Sequence, residues 1–466
     1  MNNTLSKFLD HLSSTEHVNL SKVQVKHTPD AGYGLFATED FSADIAEPMV
    51  TIPSNLIVTA SKALQYLKEH NRQQYNELKE LPKNNKTIER YCILLFLICE
   101  KNAATPSSWR YYIDILPTLD TLKSSQAFFY QDEEMQFLEG TSLHKSIMER
   151  RSNVSKLLKQ LTALVPSASN VSLDDWQWAD MVFWTRVVSI DSQKQSKDKD
   201  SSEITPDYAM VPLLDFANHS LAPNLRWELD SEGNFQLLAH SEGGSAGEQL
   251  YFSYGDKPNQ ELLFLHGFCI PDNPNPAKFT MSVIPLMMMD EDTIEPKMRW
   301  LQDIGETHTL TLEKNPQGDE HPLMKAGITK HSAALLQLAV LDVDDPIDFI
   351  LEDDNLVLCF EGKPQASLDD LLESVSRYEL CPIQHLRASL LLSQALGDHY
   401  EKIAETTEEM KSASHSDNSV IQNILIYALE ELALLENALS ILQDVQSDLG
   451  KDPRVLQYIA DSQSAE

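Results

Sequence analysis

The residues of this chain whose types and spacing can do chemistry together are Asp215, Asn218 and His219, with Tyr254 thirty-five positions after the histidine. An amide beside an imidazole offers donors and acceptors that can read the polar edge of a ligand without a metal. Taken alone, His219 reads as a satisfied loop or core histidine before it reads as a ligand. The Tyr254 hydroxyl can orient an amine, and the same residue also suits an ordinary half-buried strand position. Arg186 follows Trp178-Ala179 on a helical pattern and offers a planar fork to a carboxylate, or a salt bridge on a helix surface. Around Ala31-Gly32-Tyr33-Gly34, two glycines flanking one residue let the backbone turn tightly and approach a ligand, and a plain β-turn reads the same way. A dinucleotide fingerprint does not fit, because the third glycine is missing and no helix follows.

The elements that must position these groups fall into blocks. From Val23 to Thr59 short β-type runs alternate with turn residues, which predicts a small β-meander. From Ser61 to about Asp180 the spacing becomes helical, with Tyr91, Leu94, Leu95 and Ile98 on one face. Asp191 to Glu203 is almost wholly polar and predicts a mobile surface loop. Strands return at Met210–Leu214, Leu225–Trp227, Phe235–Leu238 and Gln249–Ser253, with a hairpin turn at Ser231-Glu232-Gly233-Asn234. After about Pro276 the pattern is helical, and Leu425, Leu429, Leu432, Leu435, Leu439 and Leu442 predict one long amphipathic helix.

Composition narrows the function classes. The chain has 466 residues, with 37 basic and 71 acidic side chains and a net charge of −34. That field repels nucleic acid and anionic lipid and attracts a basic protein partner, although it also serves simple solubility. The five cysteines, Cys92, Cys99, Cys269, Cys359 and Cys381, lack the short spacing of a zinc or redox pair and read as reduced thiols, mostly buried. No secretory signal opens the sequence, and the apolar run Tyr91–Cys99 is far short of the roughly 20 residues of a membrane helix. A cytoplasmic protein, with the nucleus as a second location, and a monomer are the expectations.

In this order the motifs resemble those of SET-domain protein methyltransferases, and specifically the Rubisco large-subunit lysine methyltransferase group that acts on non-histone proteins. The resemblance runs from about Val23 to Phe268. It rests on Gly32-Tyr33-Gly34, Trp178-Ala179 with Thr185-Arg186, Asp215-Phe216-Ala217-Asn218-His219, Tyr254-Gly255, and Asn259-Gln260-Glu261-Leu262-Leu263 followed by His266-Gly267-Phe268. It implies an α+β fold: a β-rich SET domain over 15–275, split by a helical insertion at about 61–180, then an all-α substrate-binding domain over 276–466. It further implies S-adenosylmethionine as cofactor, held by Ala31, Gly32, Tyr33, Arg186, Asp215, Asn218, His219, His266, Gly267 and Phe268, with no metal. Tyr254 would be the catalytic residue. The reaction would be methyl transfer to a lysine amine of a ribosomal protein, translation factor or metabolic enzyme, with cofactor and peptide entering from opposite faces. A histidine acceptor, or a SET-fold protein that binds a basic partner without catalysis, are the rival readings. The family's residues differ here at Thr185, Phe36, Pro258 and His266.

Overall fold

The computed structural model describes residues 3–28, 32–42, 47–82, 85–190, 207–240, 243–288, 292–314, 321–352, 355–412 and 418–465. The chain divides into two compact units, Met1–Phe129 with Glu149–Lys257, and Tyr130–Met148 with Pro258–Glu466. The polar stretch Asp191–Glu203 lies outside the described residues.

The first unit carries ten strands among the described residues: β1 (Val23–Thr28), β2 (Gly32–Ala37), β3 (Val50–Ile52), β4 (Val58–Thr59), β5 (Val188–Ile190), β6 (Asp207–Met210), β7 (Asn218–His219), β8 (Leu225–Leu229), β9 (Phe235–Ala239) and β10 (Gln249–Phe252). They form three small sheets in the orders β1-β2-β10-β7, β3-β9-β8 and β4-β6-β5. The expected meander is therefore only half present. β1 and β2 form a hairpin, whereas β3 and β4 pair with β9 and β6, from the far side of the helical insertion. A strand of two or three residues cannot bury an apolar face alone, so each borrows a partner from distant sequence. The β8–β9 hairpin forms as expected, its turn closed by Asp230, whose carboxylate accepts from Glu232 and Asn234 N–H groups at 2.9 Å each.

Between β4 and β5 the chain is helical. Asn85 caps the helix Lys86–Lys101, accepting from Thr87 and Ile88 N–H groups. All eight residues from Tyr91 to Ile98 are buried, not one face alone, because the helix lies between Ala60–His70 and Leu173–Arg186. Asp180 is buried in this core, paired with Arg90 and 3.7 Å from Arg150. Arg90 also lies over the Trp184 ring at 5.2 Å.

In the second unit the helices Cys381–Met410 and Ser419–Leu449 pack along each other. The buried row of the latter runs through Ile424, Ala428, Glu431, Leu435, Ala438 and Leu442, not through the full leucine ladder, and Leu429 is 42% exposed. Apolar residues surround most of this helix, so periodicity alone does not select the row. Glu431 occupies its centre, where it accepts from Tyr427 Oη at 2.5 Å and Ser142 N–H at 3.1 Å. The unit is mainly helical but not all-α as expected, since among the described residues it also carries five short strands: β11 (Lys278–Ser282), β12 (Thr309–Glu313), β13 (Ile347–Glu352), β14 (Asn355–Phe360) and β15 (Lys363–Gln365). They form the antiparallel pair β11-β12 and the sheet β13-β14-β15. Among the described residues no helix is long and apolar enough to cross a membrane, no His/Cys/Asp/Glu group is arranged for a metal, and the five cysteines are unpaired.

Removing Asp180 strands two arginines in the helical core of the first unit. Asp180→Ala should destabilise the protein by about 3–5 kcal/mol in urea unfolding, against under about 1 kcal/mol for the exposed Arg226→Ala. Equal effects of the two changes would show that the buried pair is not a core determinant.

Candidate active site

One sheet of the first unit gathers the predicted groups. β10 runs antiparallel to β2, with Gln249 opposite Phe36 and Leu250 opposite Leu35, and parallel to β7, with Tyr251 opposite Asn218 and Phe252 opposite His219. A parallel pair cannot close through a tight hairpin, so the loop after β7 makes the β8–β9 hairpin before returning. Gly34 suits the β2–β10 approach: a Cβ there would come within 2.7 Å of Gln249 Nε2. Gly32 has φ +68° with open space beside it, so conformation, not crowding, calls for glycine at that position.

The entry to β7 is strained. Leu213, fully buried, has φ 75°, a region bulky side chains avoid, and Leu214–Phe216 then make a single 3-10 turn. Phe216 holds that turn in place by packing edge-on against Tyr33 at 6.0 Å. The turn delivers the Ala217 carbonyl, Asn218 and His219 to one place. Asn218 Nδ2 donates to the Tyr33 carbonyl at 3.4 Å. The Tyr254 N–H donates to His219 Nδ1 at 3.1 Å, and the two rings stand 5.2 Å apart. The Tyr254 hydroxyl in turn donates to the Ala217 carbonyl at 3.4 Å.

An accepting Nδ1 makes His219 a neutral imidazole with its proton on Nε2. Burial lowers its pKa in agreement, with a backbone contact from Phe252 partly opposing this. Burial pushes the Tyr254 phenol up to about 12, the nearby Arg186 charge opposing and Asp215 adding to the rise. Tyr254 is thus protonated at neutral pH and can orient a partner, but it is not a ready base.

Arg186 ends the helix Leu173–Arg186, which starts at a Ser172 cap. Its Nη1 donates to Thr185 Oγ1 at 2.7 Å, and its Nε lies 3.6 Å from Asp215 Oδ1. Asp215 is buried, which pushes its carboxyl up to about 6 even though the Arg186 charge and the Tyr112 hydroxyl both pull it down. Tyr112 is also buried, and its phenol is raised first by desolvation and then by Asp215. Arg186 Nε and Asp215 Oδ2 have no hydrogen-bond partner among the described residues.

Of the residues expected to line a site, the first unit therefore brings together Tyr33, Asp215, Asn218, His219, Tyr254 and Arg186, with Gly32 opening β2. Ala31 lies outside the described residues. His266, Gly267 and Phe268 belong to the second unit. There Gly267 ends the helix Asn259–His266 with φ 78°, its N–H bonded to the Leu262 and Leu263 carbonyls, and the His266 and Phe268 rings stand 6.2 Å apart. Asn259 is the first residue of that helix. It is fully buried and clasps Ile270, accepting its N–H and donating to its carbonyl at 2.8 Å each, and it also donates to Glu430 Oε1. Sequence reasoning passed over two contributors, Tyr112 and the Ala217 carbonyl. Tyr112 sits in Trp109-Arg110-Tyr111-Tyr112, which reads as packing, and a carbonyl leaves no trace in residue type.

Comparison with known proteins shows what the chain is similar to. Residues 32–255 match the family model of the SET domain. The chain is 30% identical over 247 residues to the ribosomal lysine N-methyltransferase set10 of Schizosaccharomyces pombe, covering 52% of this chain and 40% of that protein. It is 28% identical over 263 residues to an actin-histidine N-methyltransferase of Danio rerio, covering 54% and 40% of the two chains. The chain thus spans about two fifths of the length of these curated relatives. A solved structure of Rubisco LSMT bound to AdoMet aligns over 96% of this chain and 93% of its own, with TM-score 0.66 at 19% identity, a likeness of fold.

The raised Asp215 carboxyl has a signed consequence. The folded state holds its proton to higher pH than the unfolded chain, so the stability this group contributes is full below about pH 4 and is lost as pH rises through about 6. The stability of the wild type minus that of Asp215→Asn, from urea unfolding, should fall by about 2–3 kcal/mol across this window and then level off. A difference that rises with pH would reverse the assignment.

Proposed function

We propose that the SET domain this chain carries over residues 32–255 transfers a methyl group from S-adenosylmethionine to the side-chain amine of a lysine in a protein substrate. One observation carries the reading: the protonated Tyr254 hydroxyl and the Ala217 carbonyl stand together, 3.4 Å apart, beside the Asn218-His219 strand. Two oxygens so placed can accept the N–H groups of an incoming neutral amine and aim its lone pair.

The first unit offers a donor set that suits this cofactor. Asn218 has one long side-chain bond among the described residues, which leaves amide capacity for a purine edge. The strand Gly32-Tyr33-Gly34 offers backbone groups, with open space at Gly32. The Arg186 guanidinium suits a carboxylate; its Nε makes no hydrogen bond among the described residues and is ion-paired with Asp215 at 3.6 Å. When bound, S-adenosylmethionine supplies an electrophilic methyl group on a cationic sulfur. The protein aligns the acceptor in line with that methyl and excludes water, and desolvation beside a positive charge favours the neutral amine. Tyr254, with its pKa far above neutrality, holds the amine by hydrogen bonding and does not take its proton.

The partner is read as a basic, lysine-exposing protein, which suits the net charge of −34. The lysine reading is supported by the similarity to a ribosomal lysine methyltransferase, and the similarity to actin-histidine methyltransferases supports histidine as a second acceptor. A neutral imidazole has one N–H to bind, so one of the two oxygens at Tyr254 would stay unused.

Incubation with labelled S-adenosylmethionine and cell lysate, followed by mass spectrometry of the labelled peptide, should place the methyl group on lysine. Tyr254→Phe should slow labelling by about 100-fold or more while cofactor affinity stays within about twofold. Undiminished labelling by this variant removes Tyr254 from the mechanism, and label on a histidine replaces the acceptor.

A further inference from the structure

The sheet β13-β14-β15 of the second unit ends in two unlike edges. β15 is three residues long and contains Pro364, which has no N–H to offer a further strand. β13 is six residues long, Ile347-Asp348-Phe349-Ile350-Leu351-Glu352, and among the described residues it pairs on one side only, with β14. It has no proline or lysine; its charges are acidic, Asp348 and Glu352, which blunt pairing with a like strand and leave it open to a basic one. Ile350 is 43% exposed and Leu351 59%.

The register directs its backbone. Glu352 faces Asn355 with two residues between them, so that closing pair is the hydrogen-bonded one and residues 347, 349 and 351 turn their backbone groups to the open edge. Two of these donors already have acceptors: the Ile347 N–H bonds to the Asp345 carbonyl at 2.7 Å and the Phe349 N–H to the Asp348 carboxylate at 2.8 Å, so the edge offers the three carbonyls and the Leu351 N–H.

Charge selects the occupant. The eleven residues 342–352 hold five acids, Asp342, Asp344, Asp345, Asp348 and Glu352, and no lysine or arginine. Arg387 answers two of them, donating to Asp342 and Asp345 at 3.2 Å each and to Tyr458 Oη at 2.7 Å. A second copy of β13 would set like charges opposite one another, which destabilises a strand pair. A segment alternating lysine or arginine with apolar residues suits this edge: its N–H groups meet the outward carbonyls, its apolar side chains cover Phe349 and Leu351 on one face, and its basic side chains lie beside Asp348, Ile350 and Glu352 on the other.

We propose that the open β13 edge is a docking site for an extended basic segment of a partner protein, which adds to the sheet as a fourth strand. The site is independent of the methyl-transfer reading, because it needs neither cofactor nor reaction.

The test uses the full chain and a fluorescent peptide of alternating lysine and valine, with a glutamate–valine peptide as control. The lysine–valine peptide should bind, weaken as salt is raised, and slow amide hydrogen exchange at 347–352 in the wild-type protein. The double change Ile350→Lys with Glu352→Lys should weaken it by about tenfold or more while leaving the thermal midpoint and S-adenosylmethionine binding unchanged. Equal binding by the double variant, protection confined to other segments, equal binding of the glutamate–valine peptide, or self-association that the variant abolishes would each overturn the proposal.

Discussion

The parallel pairing of two very short strands, Asn218-His219 on Tyr251-Phe252, is the interaction on which the site depends. Two residues cannot hold a strand pair by ladder bonds alone. The supports are elsewhere: the β2 ladder on the other side of β10, the Tyr254 N–H on His219 Nδ1, and the Ser220 N–H on the Phe252 carbonyl at 3.1 Å. Asn224, itself buried, ties the same region by accepting from Tyr251 N–H and donating to the Gln249 carbonyl. Each polar group of the small ladder thus has a second structural duty, so a change in one is expected to shift the others.

Strain and buried charge sit at the same place. Leu213 is held at positive φ in a fully buried position, and two residues later Asp215 is buried against Arg186 and Tyr112. Unless surrounding packing enforces it, neither arrangement would persist, and both occur where a backbone carbonyl and an amide must be delivered with a fixed aim. A carboxyl raised to about 6 beside an arginine leaves the local charge balance of the site responsive to pH near neutrality.

The motifs that carry residue identity were legible in the sequence. Gly32-Tyr33-Gly34, Asn218-His219 and Tyr254 could be expected to meet, and they do so at one sheet of the first unit, Tyr254 just beyond the end of β10. Contributions made through backbone or through burial were not legible. The Ala217 carbonyl has no residue signature, and Tyr112 looks like packing until Asp215 is placed beside it. The short strands β3 and β4 read as part of a meander because sequence adjacency is visible and pairing with β9 and β6 is not. In the helix Ser419–Leu449 the leucine ladder indicated a helix correctly and its buried row only partly, because a side chain as polar as Glu431 lies at the centre of that row. The edge strand β13 carried no motif at all. Its interest comes from what it lacks on one side.

The central claim is that the Asn218-His219 strand and its neighbours form a cofactor site, not a relic of one. Calorimetric titration of S-adenosylmethionine into the intact protein tests it most directly. Saturable binding of one equivalent is predicted, weakened by about tenfold or more in Asn218→Ala through the loss of a hydrogen-bonding amide. No binding by the wild-type protein, or binding that Asn218→Ala leaves unchanged, would contradict the account.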